Sequence, residues 1–395
     1  MKIGIIGGGP AGMMAAIEAS KNHQDITIID NNTSLGRKLG ATGGGRGNLT
    51  NKSVVPELYK SSSNFHYKEL ILQYNYQFLY EYFNSIGLIT YHTDDGWVYP
   101  VSNSAKNIAE FLSNRVEASG VKIINNLFVE EIKLEKNSFL LKTKSTEKFT
   151  FDKLIIATGG KAYPQLNSSD HMLNIVQKLG HHIISSQPAL APIETTKQST
   201  SLLNGVRFDA TVSLITNGQR KGVNFGNMIF TEWGVNGPAV MNLSHFFHAE
   251  QGKVELNIDC FSGLTKELLD VFQTQKHQLL YINLLPFFPS KLINQLFKNS
   301  SLSKNISTKE FYQQFQHKLR SFFTLNERVI AVRDFSFAQI STGSVRATET
   351  DPQTLQSKIN PGIHFAGEIL DVIGPCGGFN LHWAFVSGIV AGKYV

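Results

Sequence analysis

An α/β fold that begins and ends in one domain, with a dissimilar region inserted between, is what the sequence predicts. Three observations support it. Residues 1–30 read as strand, glycine-rich turn, helix and strand. From about Pro188 the texture changes to alternating half-buried strands and then to helical patterning, with no comparable glycine motif. Near the end, Ile363, His364, Phe365 and Ala366 return to a buried-strand pattern, followed by a glycine-rich turn and a last helix.

The elements follow in order. Residues 2–6 (KIGII) are a short apolar run suited to a buried parallel strand. Residues 10–20 are dominated by Ala and Met, with Ala11, Ala15 and Ala19 at helical spacing. Residues 26–30 (ITIID) make a second strand. A glycine-rich loop spans 36–51, 67–85 is the clearest helix of the next stretch, and 104–117 is a helix with Ile108, Leu112 and Val116 on one face. Strands are expected at 121–124, 127–135, 139–143 and 154–157, and a helix at 170–179 stopping at Gly180. In the insert, 206–216 and 253–259 read as strands, and 265–281, 291–298 and 308–322 as helices. The phenylalanine-rich stretch 311–323 reads as core, and 380–391 as the final helix.

Composition narrows the class. A chain of 395 residues exceeds one ordinary domain, and 42% hydrophobic with 17% charged residues describes a soluble globular protein. No apolar run approaches the roughly 20 residues that cross a bilayer, so no membrane partner is expected. Lys2 and the apolar stretch after it look like a leader, but Gly7, Gly8, Gly9 and Pro10 break it and Glu18 follows. The start is read as structure, and the protein as cytoplasmic. Cys260 and Cys376 fit neither a disulfide framework nor a metal-ligand spacing, so no metal is expected. The net charge of +6 is scattered, which favours a small-molecule substrate over a nucleic-acid partner.

The chemistry lies in the turns. Gly7-x-Gly9-x-x-Gly12 joins strand to helix, and Asp30 ends the next strand eighteen residues after Gly12. This is the Rossmann pattern. Gly7 allows the tight turn, Gly9 lets the backbone approach a pyrophosphate, and Gly12 lets helix and strand pack closely. The helix N-terminus offers unpaired N–H groups to phosphate, and Asp30 can accept from ribose hydroxyls. This motif fits NAD and FAD equally. Residues 363–368 (IHFAGE) then supply strand, small residue, glycine and the carboxylate of Glu368 for a ribityl hydroxyl, and Thr158 and Gly159 follow a third buried strand as a turn that packs on a dinucleotide. Together these select FAD.

Residues 374–378 (GPCGG) precede the last helix, whose N-terminus at Gly378 can stabilise negative charge on a reduced flavin. Arg37, Lys38 and Arg46 flank Gly43, Gly44 and Gly45, where a close-approaching backbone meets paired cations. No catalytic residue is assigned; Arg46, Asn48 and His382 are the candidates, and His382, two residues after Asn380, reads first as a satisfied helix histidine.

The stretch GRKLGATGGGRGNLTN (36–51) resembles the signature of the HI0933-like flavoproteins, also known as YhiN-like, BaiN-like or aminoacetone-oxidase-type. Residues 94–105, 154–171, 188–193, 228–244 and 363–385 resemble further blocks in order. The resemblance implies a Rossmann-like, two-dinucleotide-binding-type FAD domain with an inserted β-barrel-like domain and a small helical subdomain. The expected division is 1–189 for the first part of the FAD domain, 190–262 for the β-rich insert, 263–332 for its helical part, and 333–395 for the C-terminal part of the FAD domain. It also implies cofactor contacts from Ala11, Asp30, Arg37, Lys38, Gly43, Gly44, Gly45, Gly367, Glu368, Asn380 and Leu381, with Val129 beside the adenine.

Departures are Gly47 for the usual cysteine, Ser344 for a usual glycine and Asp30 for a usual glutamate. Activities in the family differ, so the substrate does not transfer with the fold. The expected function is NAD(P)H-dependent reduction of a small enone-like substrate, with NAD(P)H as transient donor. The alternatives are a flavin oxidase of an amine or α-amino ketone, and third an RNA-associated flavoprotein.

Overall fold

The computed structural model describes residues 1–62, 65–196, 202–247, 252–262, 264–315 and 318–395. The chain forms two compact units, one of Met1–Gln187 with Gln339–Val395 and one of Pro188–Ala338. Gly263, where the helical part of the insert is expected to begin, lies outside the described residues.

The first unit is built on a five-stranded parallel sheet in the order Ile363–Phe365, Lys153–Ile156, Lys2–Ile6, Asp25–Ile29 and Lys122–Ile124. Ile3, Ile5, Ile28, Leu154, Ile155, Ile156, Ile363 and Phe365 are all fully buried, as a sheet covered on both faces requires. The helix Pro10–Ala19 follows the first strand and is buried on nearly every side. It meets the last helix, Phe379–Tyr394, through a four-residue repeat of small residues. A Cβ on Gly388 would lie 2.3 Å from the Ala11 carbonyl oxygen, and one on Gly392 would lie 2.3 Å from that of Ala15. The helix backbones touch there, and nothing larger than glycine fits. Two antiparallel three-stranded sheets belong to the same unit: Val129–Leu134, Phe139–Thr143 and Lys148–Phe151; and Thr50–Asn51, Trp97–Pro100 and Thr90–His92.

The second unit holds a closed six-stranded barrel in the order Ile193–Thr195, Gly234–Asn236, Gln219–Phe230, Arg207–Thr216, Val254–Asp259 and Thr324–Val332. Alternation sends Ala210, Val212, Leu214, Leu256 and Ile258 inside. Short helices follow at Thr265–Thr274, Leu280–Leu284, Ser290–Ser300, Thr308–Phe315 and Leu319–Phe322. Phe311, Phe322 and Phe323 are buried and in mutual ring contact, so the phenylalanine-rich stretch is core.

Some expected elements differ. The helix at 67–85 is two, Lys68–Gln73 and Tyr76–Ser85, because the Asn75 side chain accepts from the Phe78 N–H and starts a new helix. The helix at 265–281 ends at Thr274, and within 308–322 residues 316–317 lie outside the described residues. The strands Gln219–Phe230, Thr324–Val332 and Ile340–Val345 were not legible. Gln219–Phe230 opens with Gln219, Arg220 and Lys221 and contains Gly222 and Gly226, which suppress a strand signal that barrel pairing supplies. Among the described residues, no helix is long and apolar enough to cross a membrane.

Candidate functional site

The first glycine turn has the geometry its spacing demands. Gly7 takes φ 106°, and a Cβ there would sit 2.5 Å from the Ala157 carbonyl oxygen. A Cβ on Gly12 would lie 1.9 Å from the Gly7 oxygen, so helix and strand are in backbone contact. At Gly9 the same atom would meet nothing within 4 Å. The open face is at the middle glycine, where a pyrophosphate would approach.

The Asp30 carboxylate is buried and accepts from the Gly8 N–H through Oδ2 and from the Asn32 N–H through Oδ1 at 2.7 Å. A carboxylate has about four acceptor positions, so two stay available for the two hydroxyls of a ribose. Beside it runs an open cleft lined by Gly7, Asp30, Asn32, Val129, Thr158 and His171 among others. Thr158 Oγ1 and His171 Nε2 are buried there with no hydrogen-bond partner. Such orphaned polar atoms fit a polar ligand such as an adenosine, and Val129 supplies an apolar wall. Arg37 Nη1 donates to Asn32 Oδ1 at 3.0 Å.

The other end is assembled from distant segments. Lys38 Nζ lies 2.8 Å from Glu368 Oε2, while Ser341 donates to Glu368 Oε1 from its N–H at 2.8 Å and its hydroxyl at 2.9 Å. Gly159 and Gly367 both take positive φ, and a Cβ on Gly160 would lie 2.5 Å from Glu368 Oε1. The Gly367 N–H donates to Ser387 Oγ at 2.8 Å, and Ala11 lies 2.9 Å from a Cβ built on Gly367. The last helix starts at Phe379, and its first internal bond runs from the His382 N–H to the Gly378 carbonyl. The N–H groups ahead of it, those of Asn380 and Leu381 included, have no carbonyl within the helix to meet. The Asn380 side chain closes the preceding turn, accepting from the Gly374 N–H and donating to the Gly374 carbonyl, each at 2.8 Å.

The loop of Gly43, Gly44 and Gly45 takes φ 58°, 64° and 87°, and a Cβ on Gly44 or Gly45 would meet nothing within 4 Å. Its backbone is therefore free for a ligand to approach. Gly47 has φ 77° and faces Ala105 at 3.2 Å from a built Cβ, a position that favours glycine over a cysteine.

The three catalytic candidates separate. Arg46 is exposed, with its guanidinium 4.1 Å from the Tyr99 ring centroid and Nη2 3.1 Å from Tyr91 Oη. Asn48 requires a correction. In the amide orientation that satisfies both ends, it donates to the Val98 and Thr50 carbonyls and accepts from the Gly378 N–H, so it is a buried strut. His382 is a satisfied helix histidine. It is fully buried, with Nδ1 2.8 Å from Thr50 Oγ1 and Nε2 2.9 Å from the Tyr74 carbonyl. Burial pushes its pKa down to about 4, so the ring is neutral, donating to Tyr74 and accepting from Thr50. It has no free nitrogen for proton transfer. Cys376 is half-buried, and burial pushes its thiol up to about 12, which leaves it protonated at neutral pH.

Residues missed by sequence reasoning stand at the same end. Asn51 Nδ2 donates to the Gly377 carbonyl at 2.9 Å, and the Trp97 ring lies 3.1 Å from a Cβ built on Gly377. Asn51 closes the 36–51 signature and could have been flagged there; Ser341 and Trp97 carry no local signal.

The family model described as the HI0933-like protein Rossmann domain matches residues 1–394. The chain is 31% identical over 408 aligned positions to the 3-dehydro-bile acid Δ4,6-reductase of Clostridium scindens, covering 99% of this chain and 98% of that one. It is 29% identical to a protein of Haemophilus influenzae named ribosomal RNA dihydrouridine synthase, covering 97% and 95%. In fold it is similar to the 3-ketosteroid-Δ4-(5α)-dehydrogenase of Rhodococcus jostii, with TM-score 0.51, 12% identity and coverage of 100% and 95%. A matched model over nearly the full length, a reductase relative and the Rossmann sheet agree: the chain belongs to the HI0933-like family of FAD-dependent oxidoreductases.

Proposed function

We propose that this protein reduces a carbon–carbon double bond conjugated to a carbonyl in a small organic molecule, with NAD(P)H as electron donor. The observation behind it is the similarity, over 99% of the chain, to a protein named for reduction of the Δ4,6 unsaturation of a 3-dehydro-bile acid. Bound FAD would supply two-electron transfer between donor and acceptor, a chemistry that no side chain provides. The chain's own part is to bind and to orient. Asp30 and the 7–12 turn would hold ribose and pyrophosphate, Glu368 a ribityl hydroxyl, and the N-terminus of the last helix would face negative charge on the reduced ring. Arg37, Lys38, Thr158 and the loop of Gly43, Gly44 and Gly45 would complete the contacts. Arg46, stacked on Tyr99 at the surface, is placed for an incoming anionic reactant better than for proton transfer.

A second reading rests on the relative named for dihydrouridine in ribosomal RNA. The 5,6 double bond of uridine is also conjugated to a carbonyl, so one reaction class covers both. Anaerobic mixing with NADH or NADPH should bleach the flavin band within minutes, and adding a cyclic enone should restore it. Restoration by a uridine-containing RNA and not by enones selects the second reading. A flavin that neither nicotinamide reduces, but that an amine bleaches with peroxide formed on admitting air, replaces both with the oxidase.

A further inference from the structure

We propose that Ser341 and Ser344 are positioning residues for Glu368, and that Ser344 holds an unfavourable backbone conformation in order to be one. The proposal rests on the reading of Glu368 as the ribityl-binding carboxylate. Three donors already occupy that carboxylate: the N–H and hydroxyl of Ser341 on Oε1, and Lys38 Nζ on Oε2. Of about four acceptor positions, one is left for a ligand hydroxyl, and its direction is set by the other three. Ser341 is itself fixed, since its hydroxyl accepts from the Lys161 N–H at 2.9 Å and would lie 2.1 Å from a Cβ on Gly160.

Ser344 holds the backbone of the same residue. Its hydroxyl donates to the Glu368 carbonyl at 3.1 Å, and it is fully buried. The flanking bonds run from the Gly343 N–H to Asp371 Oδ1 at 3.2 Å and from the Asp371 N–H to the Val345 carbonyl at 3.0 Å. The 341–345 segment thus grips 368–371 at side chain, carbonyl and strand edge. Ser344 does this at φ 98°, in the left-handed region where a Cβ is strained and glycine is at ease. Strain of this kind persists only where surrounding contacts enforce it, and the hydroxyl bond to Glu368 is what a glycine would forfeit.

The opposing effects give the test. Parent, Ser344→Gly, Ser344→Ala and Ser341→Ala chains are stripped of flavin, and each is measured for apoprotein Tm and for FAD Kd by flavin fluorescence quenching. Ser344→Gly should keep or raise the apoprotein Tm while weakening FAD by about tenfold, the worth of one hydrogen bond to a fixed group. Ser344→Ala, which keeps the strain and loses the bond, should lower Tm and raise the FAD Kd. Ser341→Ala should weaken FAD by a similar factor, and Ser341→Thr should restore it. Unchanged FAD affinity in Ser344→Gly, or losses of affinity that follow Tm across all variants, would overturn the proposal. A parent chain that takes up no FAD fails the flavin reading itself, and this proposal with it.

Discussion

Around Asp30, the turn glycines and the carboxylate come from the first thirty residues and the carboxylate's hydrogen-bond partners lie within 22 positions, while Ala157 and Thr158 back Gly7 from farther along the chain. Around Glu368 and the last helix, Lys38 reaches Glu368 across 330 positions, Thr50 reaches His382 across 332, and Asn51 reaches Gly377 across 326. The first region is mostly a local backbone device, in which strand, tight turn and helix follow in sequence and only Ala157, Thr158 and the cleft wall come from farther along the chain. The second exists only when the chain termini have come together in one sheet. A ligand gripping both ends would couple a site that folds locally to one that depends on the whole unit.

That contrast can be broken most sharply at Gly12. Gly12→Val would drive a side chain into the Gly7 carbonyl, at a cost of more than about 3 kcal/mol, and should abolish both FAD uptake and the native circular dichroism signal. A folded, yellow Gly12→Val protein would show that the close contact is not needed.

Acid should act on the other end. His382, and His364 in the strand Ile363–Phe365, are each held down to about 4 by burial, against an ordinary value near 6.5. Both are neutral in the fold and charge more readily when unfolded. Their stabilisation is therefore present above pH about 6.5 and lost as pH falls toward 4, on the order of 3 kcal/mol for each. His382→Gln should flatten the fall of Tm between those limits, and an unchanged slope would remove His382 from the account.

Asp30→Ala is expected to matter less. It leaves the Gly8 and Asn32 N–H groups without their acceptor and removes the ribose contact, about 2 kcal/mol or a thirtyfold rise in FAD Kd by titration. Smallest is Arg46→Ala: the guanidinium is itself exposed on Tyr91, Tyr99 and Asn103, so its loss should barely move Tm. Its effect should fall on kcat/KM for the anionic reactant, and a large loss of FAD would place the guanidinium on the cofactor instead.

The same contrast explains what could be read in advance. The 7–12 turn and its helix were legible because period and glycine spacing are local, and the Lys2–Ile6 strand appears at its expected bounds. The strands Gln219–Phe230 and Ile340–Val345 are not, since their partners lie elsewhere in the chain: barrel neighbours for the first, and Ile183–Ala189, more than 150 positions earlier, for the second. The helix position of His382 is visible in sequence, whereas the Thr50 hydroxyl and Tyr74 carbonyl that occupy its ring are not. Ser341 is spelled by nothing near it.

The two-ended grip is tested most directly by titrating the flavin-free protein with FAD and with FMN, which carries the ribityl phosphate and ring but no adenosine. One FAD per chain should bind at least about a hundredfold more tightly than FMN, because the Asp30 end contributes hydrogen bonds worth a few kcal/mol that FMN cannot make. Equal affinity for the two, or a chain that binds neither, would contradict the account.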